Sequence, residues 1–147
     1  MKILMAIDDS PFSDAVVNTL IAQFDPARVE VRIIHVVEPV AFSTPPQMDP
    51  MYFPELQAQV KDAQQLVERA ARKLTGAGFK VSATVEKGDA RSVIVDEAAP
   101  ESWNADLIML GSHGRKGLQR FMLGSVSDAV ARHASCSVQI VKIHTES

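Results

Sequence analysis

The stretch GSHGRKGLQRFMLGSVSDAV, residues 111–130, gathers the residue types best suited to holding an anion. It contains Gly111, Gly114, Gly117 and Gly124, four of the chain's seven glycines. Glycine lets backbone N–H groups come close to a ligand, and a helix N-terminus adds unpaired donors and the positive end of the helix dipole. Gly124-Ser125-Val126-Ser127 opens a segment with Val126, Ala129 and Val130 at helical spacing, so small residues stand where a helix should begin. Arg115, Lys116 and Arg120 make the stretch locally positive. Phosphate is the natural guest of such a cradle; an ordinary glycine-rich turn is the alternative. Neither G-x-x-x-x-G-K-[ST] nor G-x-G-x-x-G is present, so neither a P-loop nor a dinucleotide fingerprint accounts for the glycines.

Positioning such a cradle requires a rigid element on each side of it. Residues 107–110, Leu-Ile-Met-Leu, read as a buried strand that Gly111 ends where a backbone without a Cβ can turn. At the other end of the chain, residues 2–7 form an apolar run suited to a strand buried on both faces, closed by Asp8 and Asp9. Ser10 can cap the next helix and Pro11 suits its first turn, with Phe12, Ala15, Val16, Thr19, Leu20 and Phe24 at helical spacing. Residues 29–37 give a second strand, interrupted by Arg32 and His35. Residues 38–54 carry five of the eight prolines and read as a long loop, in which Met48, Met51 and Phe53 could shield a ligand. From Pro54 to about Leu74 one apolar face marks a long amphipathic helix stopped by Gly76 and Gly78. Residues 79–86 alternate as an edge strand, Asp89 caps a short helix that Pro100 stops, and residues 137–143 form the last strand.

Strands alternating with helices call for a three-layer, doubly wound parallel α/β sheet of five strands, within one domain spanning 1–147. The net charge of -3 leaves no broad basic field for nucleic acid. No stretch is long and apolar enough for a signal peptide or a membrane span, and the single cysteine, Cys136, fits a reducing compartment, so a cytoplasmic protein is expected. Cys136 itself reads as a small buried residue at a strand start.

The pattern Gly111-x2-Gly114-x9-Gly124-Ser125 resembles the nucleotide-binding signature of the universal stress protein family. MKILMAIDDS at the start, Gly88-Asp89-Ala90 and the closing HASCSVQIVK carry the resemblance across essentially the whole chain. It implies a Rossmann-like adenine nucleotide-binding fold with strand order 3-2-1-4-5, which the apolar pattern alone does not fix. In that order the ends of strands 1 and 4 meet at a switch point, where ligands bind.

By the same resemblance, adenine lies near Ala6, Ile7, Asp8 and the backbone of Val36, and ribose near Asp8 and Gly111. The phosphates then fall on Ser112, His113, Gly114, Arg115, Lys116 and Gly117, with Gly124, Ser125, Val126 and Ser127 donating from the helix start. The implied ligand is ATP, or AMP or ADP, with Mg2+ bridging phosphates and Asp8 a direct or water-mediated partner; Asp8 could instead only cap the following helix. Asp9 stands where the family commonly has a small residue and is expected to face solvent. His113 could contact a phosphate when protonated, or stand in water; His35 is expected to line the crevice or be satisfied in the core, and His133 to serve a helix C-terminus. The implied function is nucleotide-dependent regulation in stress, in a homodimer built on residues 137–143 that could engage further protein partners. A nucleotide-independent interaction module and a slow ATP-hydrolysing enzyme are the alternatives, the second opposed by the lack of a convincing general base or paired acidic metal site.

Overall fold

The computed structural model describes residues 1–39, 54–113 and 122–143. In chain order the elements are β1 Lys2–Ala6, α1 Pro11–Gln23, β2 Glu30–Val37, α2 Pro54–Gly76, β3 Lys80–Lys87, α3 Ala90–Ala98, β4 Leu107–Gly111, α4 Ser125–His133 and β5 Ser137–Val141. The five strands pair in parallel in the order β3-β2-β1-β4-β5. Reversal of sheet growth between β1 and β4 sets the carboxyl ends of these two strands at one crevice.

Alternation along the central strands divides the core into two layers of side chains. Ile3, Met5 and Ile7, with Val31, Ile33, Leu107 and Met109, pack beneath Val16, Val17 and Leu20 of α1 and Val67 and Leu74 of α2. Leu4, Ile34, Ile108 and Leu110 face the other way, onto Ile94 and Ala98 of α3 and Val130 of α4. Burial on both faces is why the apolar runs of β1 and β4 are unbroken rather than alternating. Trp103, also in the second layer, is flanked by two cations, with Lys2 Nζ and the Arg32 guanidinium carbon each 5.1 Å from its ring centroid. Arg32 Nη1 in turn donates to Glu97 at 2.6 Å, which ties β2 to α3.

The helix ends follow local chemistry, with one departure from expectation. At the end of α2, Gly78 N–H donates to the Thr75 carbonyl at 3.0 Å and Phe79 N–H to the Leu74 carbonyl at 3.1 Å. These are the two bonds of a Schellman motif, and Gly78 takes the required positive φ of 96°. Asp89 caps α3 as expected, accepting from Arg91 N–H at 3.2 Å. Ser10, by contrast, occupies the N-cap of α1 without a side-chain cap bond, and its buried hydroxyl has no partner. Asp8, two residues upstream, holds this turn by another route, accepting from the Ser10 N–H and the Ser13 hydroxyl.

Strand bounds also differ from expectation at their ends. The first strand stops at Ala6 and the last at Val141, and the third is shifted to Lys80–Lys87. On this edge strand Ala83 is exposed while Phe79, Val81 and Val85 pack against the α1–α2 layer. Cys136 is half-buried against the α3–α4 layer, and burial, followed by the charge of Asp106, pushes its thiol above the usual range. No helix among the described residues is long and apolar enough to cross a membrane.

Candidate functional site

At the switch point, β1 leaves the sheet in two steps. Ile7 N–H still donates to the Ile34 carbonyl at 3.0 Å, but Asp8 N–H turns to the Ser13 hydroxyl at 2.7 Å. Asp8 Oδ1 accepts from Ser10 N–H at 2.9 Å and from Ser13 Oγ at 3.0 Å. Thus the carboxylate both anchors the first turn of α1 and stands at the crevice; the two roles weighed for it are compatible. Asp9 is exposed, as expected.

Across the crevice, Gly111 is the last residue of β4, and its backbone lies so close to α1 that an added Cβ would stand 2.6 Å from the Phe12 Cβ. Its glycine is therefore required by close approach of a helix, not by the sharp turn expected there. Ser112 is buried beneath the crevice, where its N–H donates to the Val141 carbonyl at 2.9 Å. The Ser112 carbonyl accepts from Gly124 N–H and from the Ser127 hydroxyl, both at 2.8 Å. The Ser127 hydroxyl is thus engaged inside the protein, where it also meets the Gly124 carbonyl at 3.1 Å.

His113 is likewise turned to protein partners. Its Nε2 faces the Met122 carbonyl, which only accepts, so Nε2 carries the proton. Nδ1 lies 3.1 Å from the Ser112 hydroxyl, and the ring leans on Phe12 with centroids 5.6 Å apart. The imidazole thus ties residue 113 to residue 122 at the mouth of the crevice.

Gly124 is the N-cap of α4, and the first bond within the helix runs from Asp128 N–H to the Gly124 carbonyl at 2.9 Å. Ser125, Val126 and Ser127 therefore hold the helix's unpaired N–H groups, at the positive end of its dipole. These elements enclose a cavity of about 360 Å³ lined by Ala6, Ile7, Asp8, Val36, Gly111, His113, Gly124, Ser125, Val126 and Ser127 among others. Every described residue named from sequence as a site residue lines it except Ser112, which lies underneath. Gly114, Arg115, Lys116 and Gly117, with Met48, Met51 and Phe53, fall outside the described residues.

Phe12, Ser13, Glu38, Ile94 and Leu110 also line the cavity and were not expected there. Phe12 and Ser13 lie in the first turn after β1, so the switch point that placed Asp8 could have indicated them. Glu38 was read as the first residue of a long loop; its Oε1 accepts from Ala90 N–H at 3.1 Å and so holds the start of α3 beside the cavity. At that helix start the Arg91 guanidinium holds the Asp89 carboxyl below its ordinary value, and Asp89 raises Arg91 in return.

Ala6, Val36, Ile94 and Leu110 supply an apolar wall, while α4 supplies donors without acceptors. Such a division suits a ligand with a flat apolar part and an anionic part. Among the described residues no cluster of three His, Cys, Asp or Glu side chains could hold a metal ion. Asp8 could reach a cation only as one ligand among several.

The sequence model of the Universal stress protein family matches residues 1–142. A putative universal stress protein of Staphylococcus aureus (strain USA300) is 30% identical over 142 residues, covering 96% of this chain and 83% of its own. The solved structure of hypothetical protein MJ0577 shares the fold with a TM-score of 0.80 at 26% identity, over 99% of this chain and 97% of that one. A universal stress protein family protein from Arabidopsis thaliana, solved with AMP bound, matches with a TM-score of 0.71 at 18% identity, over 99% of this chain and 93% of its own. Sequence and fold agree from β1 through β5, and this chain belongs to the universal stress protein family.

Proposed function

We propose that this protein binds an adenine nucleotide, ATP or its AMP or ADP counterpart, at the switch-point cavity, and acts as a cytoplasmic regulator in stress rather than as a fast enzyme. The observation that carries this is the pairing of the unpaired N–H groups of α4 with an apolar wall in one cavity of about 360 Å³. The base lies against Ala6 and the backbone of Val36, the ribose near Asp8 and Gly111, and the phosphates on the start of α4 and on residues 113–117. AMP in the Arabidopsis relative, which shares the fold, supports the choice of ligand class. Mg2+ bound to the phosphates would neutralise charge beside Asp8, whose Oδ1 is already committed to α1.

Slow or absent hydrolysis fits the side chains at hand. Both ring nitrogens of His113 are engaged, and His35 is bonded to a backbone carbonyl. A general base needs a free, positioned acceptor near the water it activates. The protein acts as one domain and as a homodimer through β5.

Calorimetry with ATP tests the site directly. Hydrogen bonds to charged groups contribute about 1.5 to 3 kcal/mol each. Gly114→Val with Gly124→Val, which displaces at least two of them, should therefore weaken ATP binding by roughly a hundredfold or more. A folded double variant with unchanged ATP affinity refutes the site.

A further inference from the structure

The chain contains a histidine whose place in the sheet bears on how the base is received. His35 lies in β2, half-buried, and lines the cavity. Its Nδ1 is 2.7 Å from the Ile7 carbonyl. A carbonyl only accepts, so Nδ1 carries a proton and donates to it.

Ile7 is also where the β1–β2 ladder ends. Its N–H donates to the Ile34 carbonyl, so residues 34 and 36 of β2 direct their N–H and C=O toward β1. Residue 37 points the other way, as the bond from Gly88 N–H to the Val37 carbonyl shows. The next rung would join Val36 N–H to the Ile7 carbonyl, and it is not made: the pairing stops at Ala6 and Ile34. Meanwhile β2 continues beside β3 through Val36 and Val37. Hence β2 overhangs β1, and the carbonyl that would have extended the ladder is held by an imidazole.

We infer that His35 is a positioning residue: by bonding the Ile7 carbonyl it ends the β1–β2 ladder one rung early and leaves the Val36 peptide edge open to the base. The inference rests on the cavity being an adenine nucleotide site. An exposed N–H beside an exposed C=O matches a heterocycle edge that carries an acceptor beside a donor. Without the imidazole, Val36 N–H would take the free carbonyl and close that edge.

His35→Leu removes the donor, and His35→Asn returns a side-chain N–H close to the position of Nδ1–H. In the ligand-free full chain, exchange of the Val36 amide measured by NMR should slow about tenfold in the leucine variant and stay within about threefold of wild type in the asparagine variant. Affinity for ATP should fall about tenfold in the leucine variant, the scale of one lost hydrogen bond, while affinity for inorganic tripolyphosphate is unchanged. Unaltered Val36 exchange in a folded leucine variant overturns the inference. So does an equal loss of tripolyphosphate binding, or an asparagine variant that behaves like leucine. If the leucine variant does not fold, His35→Phe, which also lacks the donor, is read by the same criteria. A wild-type protein that binds no adenine nucleotide defeats the proposed function instead, and the Val36 exchange then tests His35 on its own.

Discussion

A methyl group at Gly111 would meet the Phe12 Cβ at 2.6 Å, and that atom is anchored to the α1 backbone rather than being the tip of a flexible chain. Gly111→Ala must therefore push α1 away from β4. Overpacking of this kind costs about 1 to 3 kcal/mol, which urea denaturation should show as a lower midpoint with an unchanged slope. An alanine variant as stable as wild type would remove close approach as the reason for this glycine. Ser127→Ala should cost about 1 kcal/mol, since the hydroxyl bonds two backbone carbonyls in a buried position. Thermal melting that places this variant at the wild-type midpoint would show those bonds to be dispensable. At this scale the sequence named the positions but not the reasons. Ser127 was read as donating to phosphate, and His113 as contacting phosphate when protonated or standing in water. The partners seen are backbone carbonyls of residues 112, 122 and 124, and those of 112 and 122 are distant in sequence from the side chains they meet.

Among the elements, the end of α2 was legible because one residue type solves one geometric problem: Gly78 adopts a φ of 96° that makes the Schellman bonds possible. Its neighbour Gly76, still helical, has nothing within 4 Å of the position its Cβ would take. Alanine should act with opposite sign at these two sites. Gly76→Ala should stabilise by about 0.5 kcal/mol through helix propensity, and Gly78→Ala should destabilise by roughly 1 to 2 kcal/mol through a left-handed conformation. Equal shifts in two thermal melts would contradict this. The start of α1 was less legible. Ser10 is a good cap by type, yet its side chain caps nothing and the turn is held by Asp8, because the chain leaves β1 at Ile7 and the carboxylate then reaches both the Ser10 N–H and the Ser13 hydroxyl. Arg32 in β2 read as an interruption of an apolar strand; its partners, Glu97 and Trp103, come from a distant segment that no local pattern could indicate.

For the whole molecule, the parallel α/β class follows from alternating apolar runs, but the order of strands does not, because each buried strand carries the same two-sided pattern. The family resemblance supplied that order, and with it the meeting of Asp8 and Gly111. The order also leaves two unlike edges. The outer strand β3 carries Lys80, Glu86 and Lys87, charges that discourage pairing with another sheet, whereas the residues of β5 are Ser137, Val138, Gln139, Ile140 and Val141. The proposed homodimer belongs on the second edge. Ser112 N–H reaches the Val141 carbonyl, so Val141 points its peptide groups toward β4 and, by alternation, Ile140 and Val138 point theirs outward. Ile140→Pro would thus delete an outward donor without removing a bond to β4. Light scattering at micromolar concentration should give wild type about twice the 16.0 kDa chain mass and the folded proline variant a single chain mass. A wild-type protein that scatters as one chain rules out the dimer, and a proline variant that stays dimeric rules out β5 as its seam.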